Sequence, residues 1–187
     1  MNNATGDAGT PALPMDIASV DSQFIRSEYR YNDNGVELQL NLATSAVEHI
    51  MTNYHLREAA NPMMLRSNFA TADADDIKLA TKIDAANGYW NIGMDYHHAR
   101  HNSDISDPNN DAFFIQNFNQ AEKEIAGVFV ETQQQLTDLL SLHAGLRLNR
   151  VSANADEVDT SMAMMPAVRM LRDDFNNAER EQTDNNI

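Results

Sequence analysis

The sequence predicts an all-β fold, an antiparallel up-and-down meander of about six or seven strands that forms part of a transmembrane β-barrel. Two observations carry that prediction. Apolar and polar residues alternate with period 2 in several windows. The connections between those windows alternate too, between compact turns and long polar stretches.

Taken in order, a first strand ends at the turn Asn32-Asp33-Asn34-Gly35, whose Asn-Gly pair tolerates positive φ. The second strand is the clearest. In Val36-Glu-Leu38-Gln-Leu40-Asn-Leu42 the even positions are apolar and the odd ones polar. A long polar segment, about Glu58 to Asp76, leads into a weaker third window, Ile77-Lys-Leu79-Ala-Thr81-Lys-Ile83. Beyond the compact turn Ala86-Asn87-Gly88, the fourth strand reads Trp90-Asn-Ile92-Gly-Met94-Asp-Tyr96 and runs into His97 and His98. A second long segment covers about Asn102 to Ala121, and Gln133 to Asp138 is a third short connection. The sixth strand is Leu140-Ser-Leu142-His-Ala144-Gly-Leu146-Arg-Leu148-Asn149, followed by a third long segment from Ala153 to Arg169.

In a compact soluble domain, three structureless loops of that length would count against the assignment. In an outer-membrane barrel they are ordinary: turns are short on the periplasmic side, loops are long outside, apolar side chains face lipid and polar ones face the lumen. Such a barrel closes on itself because lipid satisfies no free backbone edge. The alternative is a soluble periplasmic β-domain that binds a metal or small ligand, since one wet face gives the same alternation strand by strand. The two differ in where Leu38, Leu40, Leu42, Trp90, Ile92, Leu142 and Leu146 point, into one interior or outward from a curved sheet. Tyr29, Tyr31, Tyr89, Trp90 and Tyr96 lie near turns or strand ends and suit an interfacial aromatic girdle.

Composition narrows the function. With 28 acidic and 13 basic residues the formal net charge is −15, which opposes binding to nucleic-acid phosphates and favours a cation as cargo. There is no cysteine, hence no disulfide, thiolate metal site or thiol nucleophile. No run approaches the roughly 20 apolar residues of a membrane helix. The start, MNNATGDAGTPALP, has neither the basic nor the apolar segment of a signal peptide. No Gly-rich phosphate loop, His-Glu-x-x-His motif or nucleophile elbow occurs, so no enzymatic site can be assembled.

The second strand carries the chemistry. If its parity continues, Ser45, Val47, His49, Met51 and Asn53 follow Glu37, Gln39 and Asn41 on the lumen face. At a rise of about 3.3 Å per residue, the Cα atoms of His49 and Met51 lie about 6.6 Å apart, close enough to share one ion. Imidazole nitrogen with thioether sulfur is a soft pair suited to copper, above all Cu(I), although methionine is also a common gap filler. Methionines recur at 63, 64, 162, 164, 165 and 170, in or beside the long segments, where they bury little surface. Met162, Met164 and Met165, with His97 and His101, are therefore weaker candidate ligands near the mouth. His97 shares lumen parity with Asn91 and Asp95, and His98 has the opposite parity. Solvated lumen or loop side chains are the ordinary alternative for all of these. His143 and Arg147 project to the lumen side of the sixth strand.

At this point the residues resemble a known family. Val47-Glu-His49-Ile-Met51-Thr-Asn53-Tyr54-His-Leu56-Arg57 is similar to the signature strand of TonB-dependent copper receptors. Ala126-Gly-Val-Phe-Val-Glu131 with Ala144-Gly-Leu-Arg-Leu-Asn149-Arg-Val151 resembles a barrel hairpin of those receptors. So does the methionine-rich loop Ser161-Met-Ala-Met-Met-Pro166, which precedes an expected strand start at Arg172-Asp-Asp-Phe175. The hairpins are generic to TonB-dependent receptors; the His-Ile-Met strand and the methionine loop narrow the choice to copper.

The resemblance implies import of copper across the Gram-negative outer membrane by a barrel of about 22 strands plugged by an N-terminal domain. Copper is the transported ligand, held between plug and barrel wall and moved with energy supplied through TonB. It implies His49 and Met51 as the barrel-wall ligands, with a Cys and a Met from the plug. This sequence shows no signal sequence, TonB box, plug or cysteine, so an internal barrel fragment is expected. Its partners would be outer-membrane lipid, the rest of the barrel, the plug, and TonB through an N-terminal region the chain does not carry. Residues 1–19 are expected to be a disordered or loop N-terminus, 20–176 the partial receptor barrel, and 177–187 a polar tail.

Overall fold

A computed structural model describes residues 15–56, 58–59 and 61–186. Residues 1–14, most of the expected N-terminal loop, lie outside the described residues, as do Arg57 of the signature stretch and Ile187 of the expected tail. The elements are β1 (Asp16–Asp33), β2 (Val36–Thr52), β3 (Ser67–Ala85), β4 (Gly88–Asp107), β5 (Asn110–Thr137), β6 (Leu140–Asn154), α1 (Pro166–Asn177) and β7 (Gln182–Asn186). The strands form one antiparallel seven-stranded sheet in chain order, an up-and-down meander whose outer edges, β1 and β7, do not meet.

The register turns local alternation into two continuous faces. Leu40 pairs with Leu79, Leu79 with Met94, Met94 with Val128, and Val128 with Leu148. The rows on either side are largely apolar: Leu42, Ile77, Tyr96 and Ala126 on one, which ends at Arg150 of β6, and Leu38, Thr81, Ile92, Val130 and Leu146 on the other. Directly opposed residues in an antiparallel pair share a face, so these side chains form one band across β2 to β6. They point outward. Leu42, Trp90, Ile92, Leu142 and Leu146 are exposed, and the alternating positions of β2 and β4 are sheltered, so the sheet curls away from the apolar band. Among the described residues the buried side chains are Thr52, Asn53, Ala70, Ala99, Ser103, Asp107 and Thr160. That set contains no large apolar residue, so the described residues form no packed interior of the kind a soluble domain needs. An outward apolar band with a polar concave side suits a barrel wall in lipid.

Trp90 and Tyr31 lie at the margin of the band on the side of the short turns, and Tyr96 toward its other margin, in keeping with a girdle; Tyr29 pairs with Leu40 and stands in the central row instead. Tyr89 does not join them. It pairs with Asp84 and Gln133 on the concave side, and the Lys82 ammonium sits 4.8 Å above its ring. Its neighbour Trp90 takes the outward position, and in a strand two successive residues cannot share a face.

The short connections are tight. Asn34 and Gly35 have φ of 47° and 77°, the positive pair of a hairpin turn that matches strand twist. Gly88 opens β4 so close to β5 that a Cβ there would lie 1.8 Å from the Gln133 carbonyl oxygen and 2.9 Å from the Gln134 Cα. Both are backbone atoms of the neighbouring strand. Gly88→Ala is therefore expected to cost about 1–3 kcal/mol by overpacking. The readout is the denaturant midpoint of the folded protein, and an unchanged midpoint would refute the contact.

Three long connections depart from the sequence expectation. Asn102 to Ala121 is not a loop. β4 and β5 run on as a paired hairpin to Asp107 and Asn110, with a bulge at Gln120, whose φ is 46°. Strand β3 likewise begins at Ser67, ten positions before the apolar window. Beyond the band the backbone ladder continues while apolar and polar residues no longer alternate, Phe113, Phe114 and Ile115 being consecutive, so the period-2 signal disappears although the strand goes on. Arg172 to Phe175 does not start a strand but lies in α1. Pro166 sits at its first turn, and Val168, Leu171 and Phe175 recur at helical spacing. Finally, β1 begins at Asp16, and Gln182–Asn186 within the expected tail pairs with Ala153–Asn149 of β6.

Candidate metal centre

His49 and Met51 face the concave side from the far end of β2. His49 is flanked by Val20 of β1 and Ala70 of β3; Met51 is flanked by Ile17 and Asn68. Both are half-buried. The rows continue to Ser103 and Ile105 of β4, and the Ser103 hydroxyl donates a 2.9 Å hydrogen bond to Asn68 Oδ1. The pair therefore stands in a wall of small and apolar side chains. Ala70 beside it is buried, and no lysine or arginine pairs directly with either residue.

The other candidates do not converge on this pair. His97 and His101 are on the concave face of β4, four residues apart. His97 Nδ1 lies 2.8 Å from Asp76 Oδ1, an engaged imidazole on the barrel wall. His101 pairs with Ala72 and is exposed. His98 points outward toward Glu122. Met162, Met164 and Met165 lie in the turns that precede α1, Met164 being 91% exposed. Among the described residues no three His, Asp or Glu side chains cluster as a metal cage would need.

The concave wall below the site is polar and lies flat. Arg147 of β6 reaches across β5 to Asp95 of β4 in a two-pronged ion pair of 2.7 and 2.8 Å. It can do so because the residue between is Gly127, where a Cβ would come within 2.3 Å of the guanidinium. Phe129 lies in the same way over Gly93, with Lys78 and Arg147 at 5.5 and 5.9 Å from its ring centre. Sequence reading put Asp95 and Arg147 on the lumen side but not together. The glycines at alternating concave positions were the one local hint, since glycine in a strand marks close approach of another group.

Above the band the connections are knit to one another. Arg66 bridges to Asp107 at 2.7 Å and stacks 3.9 Å over Phe113. The segment before α1 docks on the β5 tip, where Thr160 and Ser161 bond the Phe114 carbonyl. Asp159, held by the Thr160 backbone N–H and the Arg172 guanidinium, has its carboxyl below the usual carboxylate range.

Comparison with known proteins bears on this arrangement. Residues 2–180 match the family model described as TonB dependent receptor-like, beta-barrel. The chain is similar to a solved structure titled copper transporter OprC, with a TM-score of 0.69 and 17% sequence identity, over 91% of this chain and 27% of that one. The chain thus spans about a quarter of the length of that structure, and the likeness is one of fold. No curated protein sequence matches.

Proposed function

Because the chain belongs to the TonB-dependent receptor β-barrel family, we propose that it forms part of an outer-membrane receptor that imports copper, with His49 and Met51 as ligands from the barrel wall. The family is one of receptors rather than enzymes. One observation carries the proposal: an imidazole and a thioether stand two residues apart on the sheltered face of β2, where no lysine or arginine pairs directly with either. A soft nitrogen–sulfur pair suits copper better than a hard cation. The printed title of the similar structure, a copper transporter, supports the same cargo.

In this reading the outward band of β2 to β6 faces outer-membrane lipid. Further barrel strands continue from the β1 and β7 edges, a plug domain closes the lumen, and TonB engages that plug. The ion is held between plug and wall, and the two residues here supply only part of its coordination. His97, His101, Met162, Met164 and Met165 would at most act as weaker contacts nearer the mouth. The soluble alternative has no observation in its favour. The test is copper titration of a full-length receptor carrying this segment, with His49 and Met51 both replaced by alanine. Retention of the original affinity would overturn the assignment.

A further inference from the structure

Met51 is the penultimate residue of β2, and strand ends ordinarily fray. A ligand there loses affinity by the population of misplaced conformers unless something holds the strand end. The next residue, Thr52, makes the last pair with β3, opposite Ser67. Beyond it Asn53 is buried and bonded through its backbone N–H and both ends of its carboxamide. Its backbone N–H donates to the Arg66 carbonyl at 3.2 Å, its Oδ1 accepts the Arg66 N–H at 2.8 Å, and its Nδ2 donates to the Met64 carbonyl at 2.9 Å. One carboxamide thus closes the loop between β2 and β3 at its neck.

The clasp is anchored further. The Arg66 guanidinium bonds Asp107, itself buried, and lies over Phe113, so the loop neck is tied to the hairpin of β4 and β5. Asp107 Oδ1 in turn accepts the Asn109 N–H at 2.9 Å and sets the hairpin tip. Buried polar groups that are all bonded fix one geometry, because any other leaves a desolvated donor or acceptor unpaired. A barrel needs no such buried polar clasp to close its strands. Its place, two residues from Met51, is where preorganisation of a ligand would require it.

We propose that Asn53, anchored through Arg66 and Asp107, is a positioning residue that holds the end of β2 so that His49 and Met51 present their donors together. The inference rests on the copper assignment above. It is tested in a full-length receptor carrying this segment by competition titration with a chromogenic Cu(I) chelator, alongside the melting temperature and the copper X-ray absorption spectrum.

Asn53→Ala is expected to weaken copper binding about tenfold or more. The melting temperature should hold, and the spectrum should show more disorder in the copper–sulfur shell. Asn53→Asp, which keeps the acceptor for the Arg66 N–H, should recover part of the affinity. Asp107→Asn removes the charge while preserving shape, and it should weaken binding in the same direction should the alanine variant fail to fold. Wild-type affinity in Asn53→Ala or in Asp107→Asn overturns the positioning role, as does a loss matched by a fall in melting temperature. If affinity holds in these variants but vanishes without His49 and Met51, the clasp alone is wrong. If it survives loss of His49 and Met51, the site is wrong and the clasp's role falls with it.

Discussion

Replacing His49 and Met51 by alanine in a full-length receptor should abolish high-affinity copper binding while leaving the barrel folded. Both side chains leave the concave face of β2 between small neighbours, Ala70 and Asn68 on one side and Val20 and Ile17 on the other. Among the described residues neither makes a side-chain hydrogen bond or ion pair across the sheet, and those four neighbours are their direct partners. Loss of outer-shell contacts alone costs metal sites about 10–100-fold, so removing two direct ligands should exceed about 100-fold. The single variants separate the donors. His49→Ala removes the only imidazole and Met51→Ala the only thioether that β2 offers to that face. Calorimetric titration with Cu(I), together with heat-modifiable migration as the folding control, measures both quantities. An unchanged stoichiometry and affinity in the folded double variant would end the assignment.

Val128→Arg should destabilise the barrel by about 2–4 kcal/mol, the cost of a lipid-facing arginine near the bilayer midplane. Val128 lies in the central outward row, between Met94 and Leu148, and is half exposed on the convex face. Its charge would have no partner among Leu40, Leu79 and Leu146 nearby. Ser45→Arg is the control. It puts the same side chain on the concave side, opposite Phe24 and Ala74, with no positive charge directly across, and should cost little. Denaturant unfolding in lipid vesicles gives both values. Equal effects would refute the distinction between the faces, and a reversed order would mean that they have been assigned the wrong way round.

Much of this was legible in the chain. Every apolar window, Val36 to Leu42, Ile77 to Ile83, Trp90 to Tyr96 and Leu140 to Leu148, lies within the predicted strand, with the predicted parity. The concave orientation of His49, Met51, His97 and Arg147 followed from counting by two. What was not legible lies above the band. There Asn102 to Asp107 and Asn110 to Phe118 remain strands although their apolar residues, such as the consecutive Phe113, Phe114 and Ile115, do not alternate with polar ones, and α1 interrupts where a strand start was expected. The Asn53 clasp was hidden as well. Its partners, Met64, Arg66 and Asp107, lie up to 54 positions away, and nothing in an asparagine after a strand announces them.

The division has a physical cause. Alternation of side chains across a strand is a local property, so the sequence by itself determined the strands of the band, their lipid and lumen faces, and the shared face of His49 and Met51. Register is decided by backbone bonding over the whole sheet and by the turns between strands. Only the tertiary structure could therefore set Arg147 across Gly127 against Asp95, turn Tyr89 away from the girdle, and tie the end of β2 to the hairpin of β4 and β5. A periodic surface contact repeats in the sequence and can be read there. A contact that occurs once, between residues brought together by register, cannot.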